Sequence, residues 1–167
     1  MAEGRELSVD EEEALKSASE CYRAEKIALR LVSRAEQNSS GLRAKLERRG
    51  FSDRTAKTVV SRFLEKGLLD DGRYAEIWIR SRLSGGKVQS PQWLLANLVK
   101  RGISVESSRK SLEKVLDPEA EYDLLVRYLE KAGPEKSRNS PGKNPVSLRS
   151  QLKSSGFSWD VLTRYFD

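Results

Sequence analysis

The chain has 167 residues, of which 37% are hydrophobic and 34% charged, with Lys and Arg exceeding Asp and Glu for a formal net charge of +6. That balance suits thin, surface-rich helical packing better than one thick core, without being poor enough in apolar residues to imply wholesale disorder. There is no histidine and one cysteine, Cys21, which excludes imidazole catalysis, histidine-ligated metals, a zinc–cysteine cluster and an internal disulfide.

Residues 1–20 set two basic side chains (Arg5, Lys16) against seven acidic ones, a net of −5, so the remainder carries +11. This stretch is expected as an acidic N-terminal extension, either a disordered tail or a helix that screens a basic surface. A helix is predicted from about Cys21 to Arg34, with Ile27, Leu29 and Leu31; no motif surrounds Cys21, so it reads as a half-buried, inert thiol. Asn38 is placed to cap the next helix, which carries Leu42 and Leu46. After it, Val59, Val60, Phe63 and Leu64 form an apolar stripe.

Asp70 or Asp71 can cap the following helix, predicted over Asp71–Leu83, in which Tyr74, Ala75 and Trp78 read as a core face. Ser84–Val88 is a loop. Ser90-Pro91 is a helix start, because serine caps well and proline at the first helical position loses no hydrogen bond. Trp93, one place before Leu94, fits either the core or an exposed stacking position. The helix that comes next holds Ser111, Leu112, Val115 and Leu116. Asp117-Pro118 caps and starts a helix with Tyr122, Leu125, Tyr128 and Leu129, and Ala132–Asn144, rich in Gly and Pro, reads as a flexible loop. Asn144-Pro145 starts another helix, and a short last one ends at Tyr165 and Phe166.

One pattern occurs three times: L-x3-L-x3-G-[F/I]-S, with its glycines at Gly50, Gly102 and Gly156, 52 and 54 residues apart. Leucines four apart share a helix face. A glycine just past the helix end takes the left-handed conformation that closes it, and the serine caps the next helix. The pattern is therefore a helix, a tight corner and a second helix. With one further helix before each pair, it predicts an all-α fold of three tandem three-helix repeats in an elongated, curved array. The expected boundaries are 21–68, 69–117 (the most distinctive unit) and 118–167 with its loop at 132–144. Adjacent units of this size are expected to lean on one another.

No phosphate-binding loop, dinucleotide fingerprint or nucleophile elbow is present, and no apolar run approaches the roughly 20 residues needed to span a bilayer. The reading is a cytoplasmic, monomeric protein without cofactor or metal, free of the membrane, and not an enzyme. Its basic body points to an anionic partner, with plain solubility as the alternative. From Arg73 to Lys110 eight basic residues face only Glu76 and Glu106. The candidate contacts are Arg73, Arg80, Arg82, Lys87, Lys100 and Arg101, with Lys45, Arg48 and Arg49 from the first unit.

The run Leu68-Leu69-Asp70-Asp71-Gly72-Arg73-Tyr74-Ala75, followed by Trp78-Ile79, Arg82, Ser90-Pro91, Leu94, Leu98 and Lys100-Arg101-Gly102-Ile103, resembles the central signature of the RecX regulatory proteins. The resemblance covers nearly everything from residue 22 onward; the acidic N-terminus lies outside it. It implies a protein of DNA repair, homologous recombination and the SOS response that binds the RecA recombinase, chiefly as the filament on DNA and in its helical groove. It implies inhibition of RecA's ATPase, strand-exchange and coprotease activities. The competing reading is a helical-repeat protein that binds single- or double-stranded DNA through its basic surface, without a filament partner.

Overall fold

The computed structural model describes residues 8–132 and 145–167. The expected loop at 132–144 falls, from 133 on, outside the described residues, as do residues 1–7. Among the described residues all regular structure is helical: α1 (Val9–Val32), α2 (Ser39–Glu47), α3 (Asp53–Glu65), α4 (Asp71–Leu83), α5 (Pro91–Lys100), α6 (Val105–Val115), α7 (Pro118–Ala132), α8 (Pro145–Ser154) and α9 (Trp159–Phe166). Helix α1 starts well before the predicted Cys21. Its start is a capping box, in which the Glu11 backbone N–H donates to Ser8 Oγ while the Ser8 N–H donates to the Glu11 carboxylate. Residues 9–20 thus belong to the same helix as Cys21–Val32 and are not a separate tail.

The three corners share one geometry. Gly50, Gly102 and Gly156 have φ of 86°, 85° and 92°. At each, the residue after the glycine donates back to the second leucine of the pattern: Phe51 to Leu46 O (3.3 Å), Ile103 to Leu98 O (3.2 Å) and Phe157 to Leu152 O (3.3 Å). The glycine N–H closes a second, shorter ring, making a Schellman motif. Ser52, Ser104 and Ser158 then cap α3, α6 and α9 by accepting from Thr55, Ser107 and Val161. Gly67, which the repeat did not single out, closes α3 in the same way with φ of 66°.

By contacts the chain divides into two compact units, Met1–Asp71 and Gly72–Asp167. In the first, α1, α2 and α3 pack mutually around Ala24, Ala28, Leu42, Leu46, Val59 and Phe63. The stripe predicted on α3 is corrected at one position: Leu64 is 42% exposed, because Val59, Val60 and Phe63 already occupy the buried face. The Glu20 carboxylate accepts from the Ser52 N–H (2.8 Å) and the Thr55 hydroxyl (3.0 Å), so α1 supplies a partner to the first turn of α3. These bonds, the backbone one foremost, hold the Glu20 carboxyl below its ordinary 4.5. Of the two capping candidates, Asp70 and Asp71, the second lies inside α4 and turns its carboxylate elsewhere. Its carboxylate accepts from the N–H (2.7 Å) and hydroxyl (2.6 Å) of Ser39, at the start of α2. Asn38, as predicted, accepts from Gly41 there.

In the second unit one core runs from Ala75 and Ile79 through Leu94, Leu98 and Ile103 to Leu125, Leu148, Leu152 and Leu162. The border expected at 117/118 therefore lies inside a shared core. Asp117 caps α7 as predicted, accepting from the Ala120 N–H at 2.8 Å. The third corner meets the start of α5: the Gln92 N–H donates to Ser155 O at 3.0 Å, and a Cβ on Gly156 would sit 2.8 Å from that nitrogen.

The corners and the Glu20 bridge can each be tested by thermal melting. Gly50→Ala places a Cβ in open space, so only the left-handed backbone costs, about 1–2 kcal/mol. Gly156→Ala adds the clash with Gln92, bringing the loss to about 2–5 kcal/mol; the melting temperatures of the two variants should rank in that order. For Glu20, a depressed folded-state pKa means stability present above pH 4.5 and lost as pH falls through the lower folded value. Glu20→Gln should therefore lower the melting temperature at neutral pH and converge with the parent chain in strong acid.

Candidate nucleic-acid and protein interface

The basic residues predicted as contacts separate into groups once the helices set their directions. In the first unit three cations of α2 and α3 are taken up by local carboxylates. Arg43 pairs with Glu47 (2.8 Å) and Asp53 (2.6 Å), Lys57 with Asp53 (2.8 Å) and Arg62 with Glu25 (2.6 Å). Lys57 first, then Arg43, holds the Asp53 carboxyl below its usual range. Of the three candidates here, Lys45 donates to the Gln37 side chain. Arg48 and Arg49 are exposed, and each donates back to a carbonyl one turn earlier on α2, Ala44 and Lys45 respectively.

In the second unit the six candidates do not form one patch. On α4, Ala75 and Ile79 are buried. At 100° per residue Arg73 and Arg80, seven apart, share the face opposite those two, with Ile77 (49% exposed) between them. Arg82 lies on the flank of the core face instead, beside Trp78. On α5, Leu94 and Leu98 are buried, which turns Trp93, Asn97, Lys100 and Arg101 together onto one flank.

Those two flanks meet through their aromatic residues. Trp78 and Trp93 stack with ring centroids 6.2 Å apart and planes 17° from parallel. The Arg101 guanidinium lies 4.7 Å and that of Arg82 5.2 Å from the Trp78 ring. Arg101 also donates to Asn97 O and Asn97 to Trp93 O, which fixes the order of side chains along α5. The reading of Trp78 as core is corrected in part: the residue is only partly buried, although its Nε1 is buried and has no hydrogen-bond partner among the described residues. Of the two readings of Trp93, the exposed one holds, at 37% exposure. Tyr74 is partly buried, and Ala75, Pro91, Leu94 and Leu98 are buried as structural positions.

Ion pairs in this unit include Lys110 with Glu106, Lys114 with Glu76, Arg164 with Glu119 and Arg149 with Asp167. Arg80, Arg82, Lys87 and Lys100 are exposed and enter no ion pair among the described residues. Two cations that sequence reasoning missed stand next to the loop after α4. Arg127 donates to Leu83 O (3.2 Å) and Lys131 to Gly86 O (3.0 Å), both from α7. Contacts spanning more than forty residues leave no local pattern by which to find them. Among the described residues no group of three or more His, Cys, Asp or Glu is placed to hold a metal ion, and no helix is long and apolar enough to cross a membrane.

The arrangement is thus a pair of stacked indoles edged by cations, of which Arg82 has no carboxylate partner among the described residues. Such a surface attracts anions by charge and binds flat groups by stacking.

No protein-family model matches the sequence. Individual proteins do. The chain is 32% identical over 147 residues to the regulatory protein RecX of Treponema pallidum (strain Nichols), covering 88% of this chain and 85% of that one. It is 33% identical over 165 residues to the regulatory protein RecX of Mycolicibacterium vanbaalenii, covering 92% and 88%, and 33% identical over 141 residues to that of Halorhodospira halophila, covering 84% and 80%. The fold is similar to the crystal structure of RecX from Lactobacillus salivarius, with a TM-score of 0.69 at 19% identity over 89% of this chain and 95% of that one. A second crystal structure, of regulatory protein RecX, gives 0.73 at 20% identity over 99% and 82%. With this identity sustained over most of both chains, and with the helical architecture shared, the protein belongs to the RecX family of regulatory proteins.

Proposed function

We propose that the chain binds the RecA filament on DNA, in its helical groove, and inhibits RecA's ATPase, strand-exchange and coprotease activities. Membership of the RecX family supports this reading, because the resemblance implies RecA as the partner. The observation that carries it on this chain is the exposed set Arg82, Lys87, Trp93 and Lys100, whose cations have no acid to answer among the described residues. The three repeated corners suit a modular helical protein that lies along an extended charged assembly. The chain acts as a regulator without chemistry of its own and as a monomer. The lateral faces of α2 with Arg48 and Arg49, and of α4 with Arg73 and Arg80, supply secondary contacts.

Titration into a RecA ATPase assay on single-stranded DNA tests the proposal. Inhibition below one chain per RecA, persisting when free DNA is added in excess, is the expected result. Inhibition that merely follows DNA coverage would instead favour a DNA-binding protein without a filament partner.

Charge reversal locates the surface. Arg82→Glu combined with Lys87→Glu should raise the half-inhibiting concentration roughly tenfold or more. Arg80→Glu, on the opposite side of α4, should change it less. Melting temperatures should move little, since exposed positions outside any ion pair are involved. Unchanged inhibition in the double variant places the contact elsewhere.

A further inference from the structure

We propose that a cavity beside Trp93 takes one unstacked nucleotide of single-stranded DNA, with its base against the indole and its phosphates on Arg82 and Lys87. The inference rests on the filament reading above, in which DNA is part of the target, and assigns the nucleic-acid contact within it.

The cavity, of about 300 Å³, lies between the end of α4, the loop after it and the start of α5. Its walls include Arg82, Gly85, Gly86, Lys87, Gln89 and Trp93, and no carboxylate lines it. That volume is at the small end for ligand pockets, enough for one nucleotide and too little for a base pair with its neighbours. Trp93, and not Trp78, lines it; the Trp78 ring is stacked on Trp93 and backs it. The indole is therefore set in place before any ligand arrives, which spares the cost of ordering it.

The rest of the wall fits the same ligand. A Cβ on Gly86 would meet nothing within 4 Å, so this side is open to a flat ring. The Gln89 amide offers both a donor and an acceptor to a base edge. Arg82 and Lys87 are exposed and outside any ion pair among the described residues, as phosphate contacts require. The loop is tied to α7, because Lys131 binds its carbonyl at Gly86 and Arg127 that of Leu83 at the end of α4, and the two bring further positive charge to its edge.

The chemistry also chooses between strands and between classes of partner. A base within a duplex has both faces covered and must be extruded, at the expense of its pairing and stacking, before an indole can reach it. A single strand presents its faces without that cost, so single strands are preferred. An acidic protein segment would use the cations but leave the exposed indole face without a role.

The test uses the full chain without RecA and a fluorescently labelled oligo-dT, read by anisotropy, with unlabelled duplex of equal length as competitor. Trp93→Leu should weaken oligo-dT binding roughly 5- to 150-fold and leave the salt dependence unchanged. Trp93→Phe should keep most of the affinity, which separates stacking from misfolding. Lys87→Gln should weaken binding and lower the salt slope by about 0.7. Equal affinity of the Trp93→Leu variant, or duplex competing as well as single strand, overturns the proposal. So does a parent chain that binds oligo-dT only weakly while binding DNA-free RecA, which would make the patch a contact for acidic protein. The two readings fail separately. RecA inhibition with oligo-dT affinity insensitive to Trp93 removes the pocket alone, whereas Trp93-dependent oligo-dT binding without RecA inhibition removes the filament reading alone.

Discussion

A helix of nine or ten residues is too short to be stable by itself, and its last four carbonyls have no partner within it. Helices α2, α5 and α8 are of that length, at 9, 10 and 10 residues. Each is closed by a glycine in the left-handed region, where any other common residue costs about 1–2 kcal/mol. The closure satisfies two carbonyls, presses the next apolar residue against the leucine one turn back, and delivers a serine where the following helix needs its cap. Three consequences thus come from one backbone conformation. The chain turns, the core gains Phe51, Ile103 or Phe157, and the second helix starts at a fixed rotation relative to the first.

That fixed rotation positions the candidate interface. With Leu94 and Leu98 committed to the core, α5 has no freedom to turn Trp93, Lys100 and Arg101 inward. The first corner has the same rotation but a different electrostatic outcome. Arg48 and Arg49 stand before Gly50 where Lys100 and Arg101 stand before Gly102, yet on α2 and α3 Arg43, Lys57 and Arg62 are neutralised by Glu47, Asp53 and Glu25. At the third corner the basic pair is replaced by Ser154-Ser155, and the Ser155 carbonyl instead serves the Gln92 N–H at the start of α5. One local motif thus supports an open basic flank, a partly neutralised one and a structural contact.

How much could be read in the sequence depends on the range of the interaction. Caps and corners are decided within five residues, so Gly50, Gly102, Gly156 and their serines were legible. The start of α1 was legible too, since Ser8-Val9-Asp10-Glu11 is a capping box, but seven acidic side chains in twenty residues masked it. The separation of Arg80 from Arg82 comes from 100° per residue, and grouping them by sequence proximity hid it. The remainder depends on chain segments far apart. Nothing near Asp71 tells that its carboxylate goes to Ser39, nothing near Glu20 that it serves Ser52, and nothing near Trp78 that its ring stacks on Trp93. The candidate interface was therefore visible as an excess of positive charge, while its aromatic centre was not.

The way Arg82 is held explains how a folded chain keeps a charge available for a partner. A carboxylate neighbour would order the guanidinium but would also cancel its charge and occupy its donors. Resting 5.2 Å from the Trp78 ring, Arg82 gains roughly 0.5–1 kcal/mol of attraction typical of an exposed cation–π contact. Its net charge is retained and its side chain stays exposed to solvent. The indole suited to this is one locked in place, and Trp78 is locked: Trp93 stacks on it, its neighbours Ala75 and Ile79 are buried, and its Nε1 is enclosed. Enclosing that N–H without a partner costs about 1–3 kcal/mol, a stability loss that the core could avoid with a leucine. A leucine, however, could neither carry a stacked tryptophan nor order a guanidinium without neutralising it, and the proposed nucleotide pocket calls for both.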